Sequence, residues 1–124
     1  MARVLVAEDE EALRAFIARA LGQDGHDVVA TADGGEALDA LTREKGKFDL
    51  LLTDIRMPVM DGIALALAAA RDWPELTILL MTGYADQRER AHGLDALIHD
   101  VITKPFSLSD IRKAVEEALV SKTR

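Results

Sequence analysis

The sequence predicts an α/β protein built on a doubly wound parallel five-stranded sheet with helices on both faces. Two observations carry this. Five short apolar segments alternate along the chain with segments of helical periodicity, and the first, third and fourth of them are near-continuous apolar runs. Strands covered by helices on both sides read in that way, whereas a half-exposed strand alternates.

Each element has its own local cause. Val4 to Ala7 form an apolar run that stops at Glu8 and Asp9, and Leu13, Phe16, Ile17, Ala20 and Leu21 then follow helical spacing as far as Gly22. Asp24-Gly25 marks a turn, Val28 to Ala32 a second strand, and Gly34-Gly35 a break before a helix with Ala37, Leu38 and Leu41 inward. Phe48 to Thr53 is the third strand, Gly62 to Asp72 an alanine-rich helix ending before Pro74, and Leu76 to Thr82 the fourth strand. Ala85 to Asp95 carries charge all round with Gly93 inside it, which makes it the weakest helix of the set. Val101 to Thr103 give the fifth strand. Ser107 and Asp110 form a capping-box-like start to the last helix, whose inward face is Leu108, Ile111, Val115 and Leu119.

At 124 residues the chain fits one domain, residues 1–124. Fifteen basic against twenty-two acidic side chains give a net charge of −7, which repels nucleic-acid phosphates and anionic membranes. No nucleic acid and no membrane are therefore expected as partners. The absence of cysteine removes disulfides, thiol chemistry and Cys-ligated metals. Apolar runs are too short to span a bilayer, and the acidic EDEE follows too early for a signal-peptide core, so a cytoplasmic location is expected.

In a doubly wound sheet the carboxyl ends of the strands share one edge, where ligands bind. Glu8 and Asp9 end the first strand, Asp54 follows the third, Thr82 ends the fourth and Lys104 follows the fifth, so three acids, a hydroxyl and an ammonium should converge. Carboxylates crowded to about 4 Å repel by roughly 4 kcal/mol at an effective dielectric near 20, which calls for a cation among them. One lysine cannot balance three acids. A small hard divalent ion with oxygen ligands suits them, pointing to Mg²⁺, with Mn²⁺ able to substitute. Beside such an ion a carboxylate can act as nucleophile toward a phosphoryl group, and Asp54, at the centre, is the candidate acceptor. Lys104 would pair with one phosphoryl oxygen and Thr82 would donate to another. Pro58 and Gly62 would shape the loop after Asp54.

Each residue also has a structural explanation. Glu8 and Asp9 could cap the first helix, Asp54 a turn, Thr82 is a β-former and Lys104 could be a solvated surface lysine. Unrelated structural needs rarely place all five at successive strand ends of one sheet. His26, His92 and His99 share no metal-ligand spacing, Trp73 reads as packing beside Pro74, and Met57 and Met60 serve equally well as loop shapers or core filler.

AEDEE after the first strand, TDIRMPVMDG after the third, MTGYA after the fourth and TKPF after the fifth resemble the receiver domains of two-component response regulators, including chemotaxis-type stand-alone receivers, across nearly the whole chain. The same segments resemble the small CpdR-like receivers that control regulated proteolysis in the bacterial cell cycle. The resemblance implies a flavodoxin-like strand order 2-1-3-4-5, Asp54 as phosphoacceptor, Asp9 as a direct Mg²⁺ ligand, Glu8 acting through metal-bound water, and the Arg56 backbone carbonyl completing the protein ligands. It makes Thr82 the switch hydroxyl and Lys104 its cationic partner, and implies a cis Lys104–Pro105 bond. It further implies a histidine kinase or histidine phosphotransfer protein as donor, and a downstream protein partner at the face of the polar helix, the fifth strand and the last helix.

Two positions depart from or tune the pattern. Family members commonly carry Tyr or Phe three residues before the lysine, where Val101 stands here, so a rotating aromatic switch lacks its ring. Tyr84 could supply an aromatic near the same face. Arg56 and Tyr84 fall where the family tunes water attack on the phosphoryl group, and bulk at both predicts a long phosphorylated lifetime. The expected function is thus a stand-alone phosphoacceptor switch without self-standing enzymatic turnover, serving as relay shuttle or binding adaptor, with an adaptor for regulated proteolysis as one form of output. A Mg²⁺-dependent phosphohydrolase is the rival, yet such enzymes want a second acid two residues past the nucleophile, where Arg56 stands. A flavin carrier would need a hydroxyl- and glycine-rich loop where AEDEEA stands.

Overall fold

The computed structural model describes residues 2–83, 91 and 93–122. Among them the elements run β1 (Arg3–Ala7), α1 (Glu11–Gln23), β2 (Asp27–Thr31), α2 (Gly34–Arg43), β3 (Leu50–Asp54), α3 (Gly62–Asp72), β4 (Thr77–Thr82), β5 (Asp100–Thr103) and α4 (Leu108–Lys122). The strands form one parallel sheet in the order β2-β1-β3-β4-β5, with Val4 opposite Leu50, Leu50 opposite Thr77 and Leu79 opposite Asp100.

The apolar runs explain the layers. Successive side chains of a strand point to opposite faces, so a strand covered on both sides must be apolar at every position. Leu51 accordingly packs with Leu5, Ile78 and Leu80 and with Ala37, Leu41, Leu65 and Ala69 of α2 and α3. Leu50 and Leu52 point the other way, joining Val4, Val6, Leu79 and Met81 with Ile17 and Leu21 of α1 and Ile111 and Val115 of α4. Each fully buried leucine contributes on the order of 1.5–3 kcal/mol.

Caps fix where the helices begin. Asp33 and Asp61 accept hydrogen bonds from the backbone N–H groups of Glu36 and Ala64, both at 2.8 Å, which satisfies N-terminal donors of α2 and α3. Ser107 and Asp110 cap α4 reciprocally, with the Ser107 N–H donating to Asp110 Oδ2 at 2.9 Å and the Asp110 N–H to Ser107 Oγ at 3.1 Å.

The structure shifts several expected boundaries. β2 is Asp27–Thr31, one residue earlier at each end, and β3 starts at Leu50 because Phe48, although core, donates its N–H to Gly46 in a turn. Phe16 stands 40% exposed at the rim of α1 rather than on its buried face. Trp73 caps the end of α3, and its ring leaves no room for a side chain on Gly46, whose φ of 70° also favours glycine. Of the expected polar helix, 85–90 and 92 lie outside the described residues, while Ala91 is helical and buried and 93–97 form turns. His92 and Tyr84 also lie outside them.

Candidate functional site

Sheet order decides which strand ends meet. With β1 beside β3, and β4 and β5 following, the loops after these strands open on one edge. There Glu8, Asp9, Glu10, Leu13, Asp54, Arg56, Gly83, Lys104, Pro105 and Phe106 line a cleft of about 700 Å³.

Asp54 closes the all-buried β3 and is itself 6% exposed, delivered to the cleft by the strand. Its backbone is held closely. Thr53 Oγ1 donates to the Asp54 carbonyl at 2.9 Å, and the Ile55 N–H donates to Met81 at 3.0 Å. Gly62 donates to the Ile55 carbonyl at 2.7 Å, and a Cβ on Gly62 would collide with the Asp54 carbonyl. Only glycine permits that approach.

The two acids after β1 divide by burial. Glu8 is fully buried, with Oε2 accepting from the Glu10 N–H at 3.0 Å and Oε1 accepting from Lys104 Nζ at 2.9 Å. Asp9 is exposed at the mouth of the cleft. Carboxylate oxygens of Glu8, Asp9 and Asp54 all lie within 4.8 Å of one another. Lys104 Nζ also donates to Asp54 Oδ2 at 2.9 Å, so a single ammonium bridges two of the three acids.

The electrostatics follow from that count. Burial pushes the Glu8 carboxyl above its ordinary range, and the bonds from the Glu10 N–H and Lys104 only partly oppose it. Burial would lower the Lys104 ammonium, but its hydrogen bonds to Asp54 and Glu8 outweigh this and hold it above its usual value. The remaining deficit of positive charge is one that a bound cation would make good. An all-oxygen set of three carboxylates, in a cleft that Arg56 also lines, fits a hard ion that keeps several waters.

Thr82 is buried at the end of β4, next to the cleft-lining Gly83, and its carbonyl accepts from the Lys104 N–H at 2.8 Å. It is not among the residues lining the cleft. The Lys104–Pro105 bond is cis. Val101 is half-buried against the α2/α3-side core. The caps expected as an alternative role for Glu8 and Asp9 are not made, since the N-cap of α1 is Glu10, without a side-chain cap.

Some contributors were not visible in the sequence. Arg14 Nη1 donates to the Glu8 carbonyl at 3.0 Å and ties α1 to the acidic loop, and Leu13 and Phe106 form an apolar wall of the cleft. Helical spacing alone gives no sign of a bond from Arg14 back over the helix start.

A doubly wound sheet of order 2-1-3-4-5 with an acid cluster and a lysine at its carboxyl edge defines a signalling receiver. The chain belongs to the response regulator receiver domain family, whose model matches residues 4–116. It is 38% identical over 121 residues to the response regulator receiver protein CpdR of Brucella abortus, covering 98% of this chain and 99% of that protein. It is 35% identical over 109 residues to the transcriptional regulatory protein TcrA of Mycobacterium tuberculosis, covering 88% of this chain but 42% of TcrA. Among solved structures, a CheY-like receiver domain protein of Methanospirillum hungatei superposes with a TM-score of 0.90 at 28% identity, covering 99% of this chain and 97% of that one. No helix among the described residues is long and apolar enough to cross a membrane.

Proposed function

We propose that this receiver accepts a phosphoryl group on Asp54 in a Mg²⁺-dependent reaction, from a phosphohistidine of a histidine kinase or phosphotransfer protein, and signals by changing its affinity for a protein partner. The observation that carries the reading is the meeting of three carboxylates within 4.8 Å, two of them bridged by Lys104.

In the transfer an Asp54 carboxylate oxygen forms the new O–P bond while the donor P–N bond breaks. The electron pair leaves with the imidazole nitrogen. Glu8 and Asp9 would hold the metal, with the Arg56 carbonyl and Asp54, and when bound Mg²⁺ neutralises phosphoryl oxygens. Lys104, already placed at Asp54 Oδ2, is positioned to follow the charge of roughly −1.5 to −2 that arrives, exchanging a carboxylate contact for a stronger phosphoryl one. Thr82 offers its hydroxyl from the neighbouring strand end. Loss of the Lys104 bridge to Glu8 and movement at Thr82 would pass the change to β4 and β5, whose backbones join at the Lys104 N–H to Thr82 carbonyl bond. The partner would read the face of β5 and α4 together with the segment before β5.

Intact mass after incubation with Mg²⁺ and acetyl phosphate tests this. One added phosphoryl group in wild type, absent from Asp54→Ala and from a chelated control, is expected. Equal addition to Asp54→Ala would exclude Asp54 as the acceptor.

A further inference from the structure

Something must hold the loop between β3 and α3, which brings Arg56 to the cleft and then turns through Val59. Val59 is 85% exposed and β-branched, yet its φ is 70°, a conformation that such residues rarely adopt. Backbone in that region persists only where the surroundings determine it. Upstream, the Ile55 N–H is bonded to Met81 and the Met57 side chain is in the core. Downstream, Asp61 caps α3. Between them the loop rests on the start of α2.

The contact is backbone against backbone. A Cβ on Gly34, the buried first residue of α2, would overlap the Met60 carbonyl and crowd its carbon and Cβ at 2.9 Å. At Gly35 the added atom would meet Val59 Cγ1 at 3.0 Å and Asp33 Oδ1 at 3.2 Å, a tight fit that a side chain can partly relieve. The start of α2 cannot easily retreat. Asp33 accepts from the Glu36 N–H, and Glu36 Oε1 accepts from the Ala32 N–H at 3.1 Å, so a reciprocal cap fixes it.

We infer that Gly34 is a positioning residue for the metal-holding site: its bare Cα seats the Val59–Met60 segment on α2 and so sets where Arg56 stands in the cleft that Asp9 and Asp54 also line. The inference rests on the Mg²⁺ reading above and adds to it a residue on a different element, with no contact to the ion. A side chain at position 34 has no flexible neighbour to push aside, so the loop must lift. Gly22, with open space around its Cα, is the internal control.

The test is Mg²⁺ titration calorimetry on the purified protein carrying Gly34→Ala, Gly35→Ala or Gly22→Ala, with circular dichroism to establish folding and ¹⁵N amide shifts of Arg56, Met57, Val59 and Met60. Gly34→Ala is expected to weaken Mg²⁺ binding about tenfold, as removal of groups supporting metal ligands does. Gly35→Ala should weaken it less, and Gly22→Ala should leave it as in wild type. The Gly35→Ala loss should shrink in a Val59→Gly background, which removes the clashing Cγ1 and leaves only the Asp33 Oδ1 contact. A folded Gly34→Ala protein with wild-type affinity would overturn the proposal. If Gly34→Ala does not fold, the Gly35→Ala pair decides: a loss relieved by Val59→Gly supports the seat, and unchanged affinity overturns it. If the wild type itself binds no Mg²⁺, the metal reading fails separately, and the seat is judged on the amide shifts, displaced in Gly34→Ala or not.

Discussion

Replacing Glu8 by glutamine should make the metal-free protein more stable, although it removes an ion pair from the heart of the site. The Glu8 carboxylate is fully buried, 2.9 Å from Lys104 Nζ and no more than 4.8 Å from the carboxylates of Asp9 and Asp54. At an effective dielectric near 20, attraction to the lysine is worth about 6 kcal/mol, and each acid repels by about 3.5 kcal/mol. The two repulsions together slightly exceed the attraction, and burial of the carboxylate adds a further cost in the same direction. Glutamine gives up these opposing terms and leaves Lys104 on Asp54, at the expense of one backbone bond at Glu10 costing about 1–3 kcal/mol. The net expectation is a gain of about 1–2 kcal/mol, or about 3–6 °C in Tm for a chain of this size. The pH dependence has a definite sign. The folded Glu8 carboxyl is raised above its ordinary value of 4.5, so its contribution favours folding below 4.5 and is lost as pH rises through the folded value. The Tm gap between variant and wild type should therefore be widest at neutral pH and close toward pH 4.5. Saturating Mg²⁺ should reverse the ranking, because only wild type gains the full binding free energy. Differential scanning calorimetry in chelator and in Mg²⁺ measures both arms. A lower Tm for Glu8→Gln in chelator at neutral pH would refute the reasoning.

Lys104→Met leaves Glu8 and Asp54 facing each other without their shared cation, and urea unfolding in chelator should show a loss of about 3–5 kcal/mol. In wild type the Lys104 contribution is complete below its ordinary value of 10.5 and is lost as pH rises through the higher folded value, so the part of the metal-free Tm that Lys104 supplies should be lost only in strongly alkaline buffer. Leu51→Ala, in the fully buried middle of β3, should cost about 2–5 kcal/mol in the same unfolding assay. Replacing Arg56 and Tyr84 together by alanine should open the path of water to the phosphoryl group and shorten its lifetime in a mass-resolved decay, whereas an unchanged half-life would show that bulk at these positions does not control hydrolysis.

The sheet was legible because every one of its central strands is covered twice, which forces the apolar runs VLVA, LLL and ILLM. The meeting of Glu8, Asp54 and Lys104 was legible for a related reason, since strand ends of a parallel sheet share an edge whatever the loops do. Other features depend on contacts between distant segments. Adjacent acids look alike in sequence, yet beyond the end of β1 Glu8 is buried and Asp9 exposed. Phe16 fits the helical stripe yet stands 40% exposed. Arg14 reaching the Glu8 carbonyl and Gly34 beneath Met60 are tertiary contacts between neighbouring elements, and no local spacing encodes them.

The most direct test of the account is chemical mapping of the phosphorylated residue. After Mg²⁺ and acetyl phosphate, borohydride reduction converts an acyl phosphate on aspartate to homoserine, which peptide mass spectrometry can place in the chain. Homoserine at position 54 alone, and none when Mg²⁺ is chelated, is the predicted result. Homoserine at Asp9 or another carboxylate, with none at Asp54, would contradict the account.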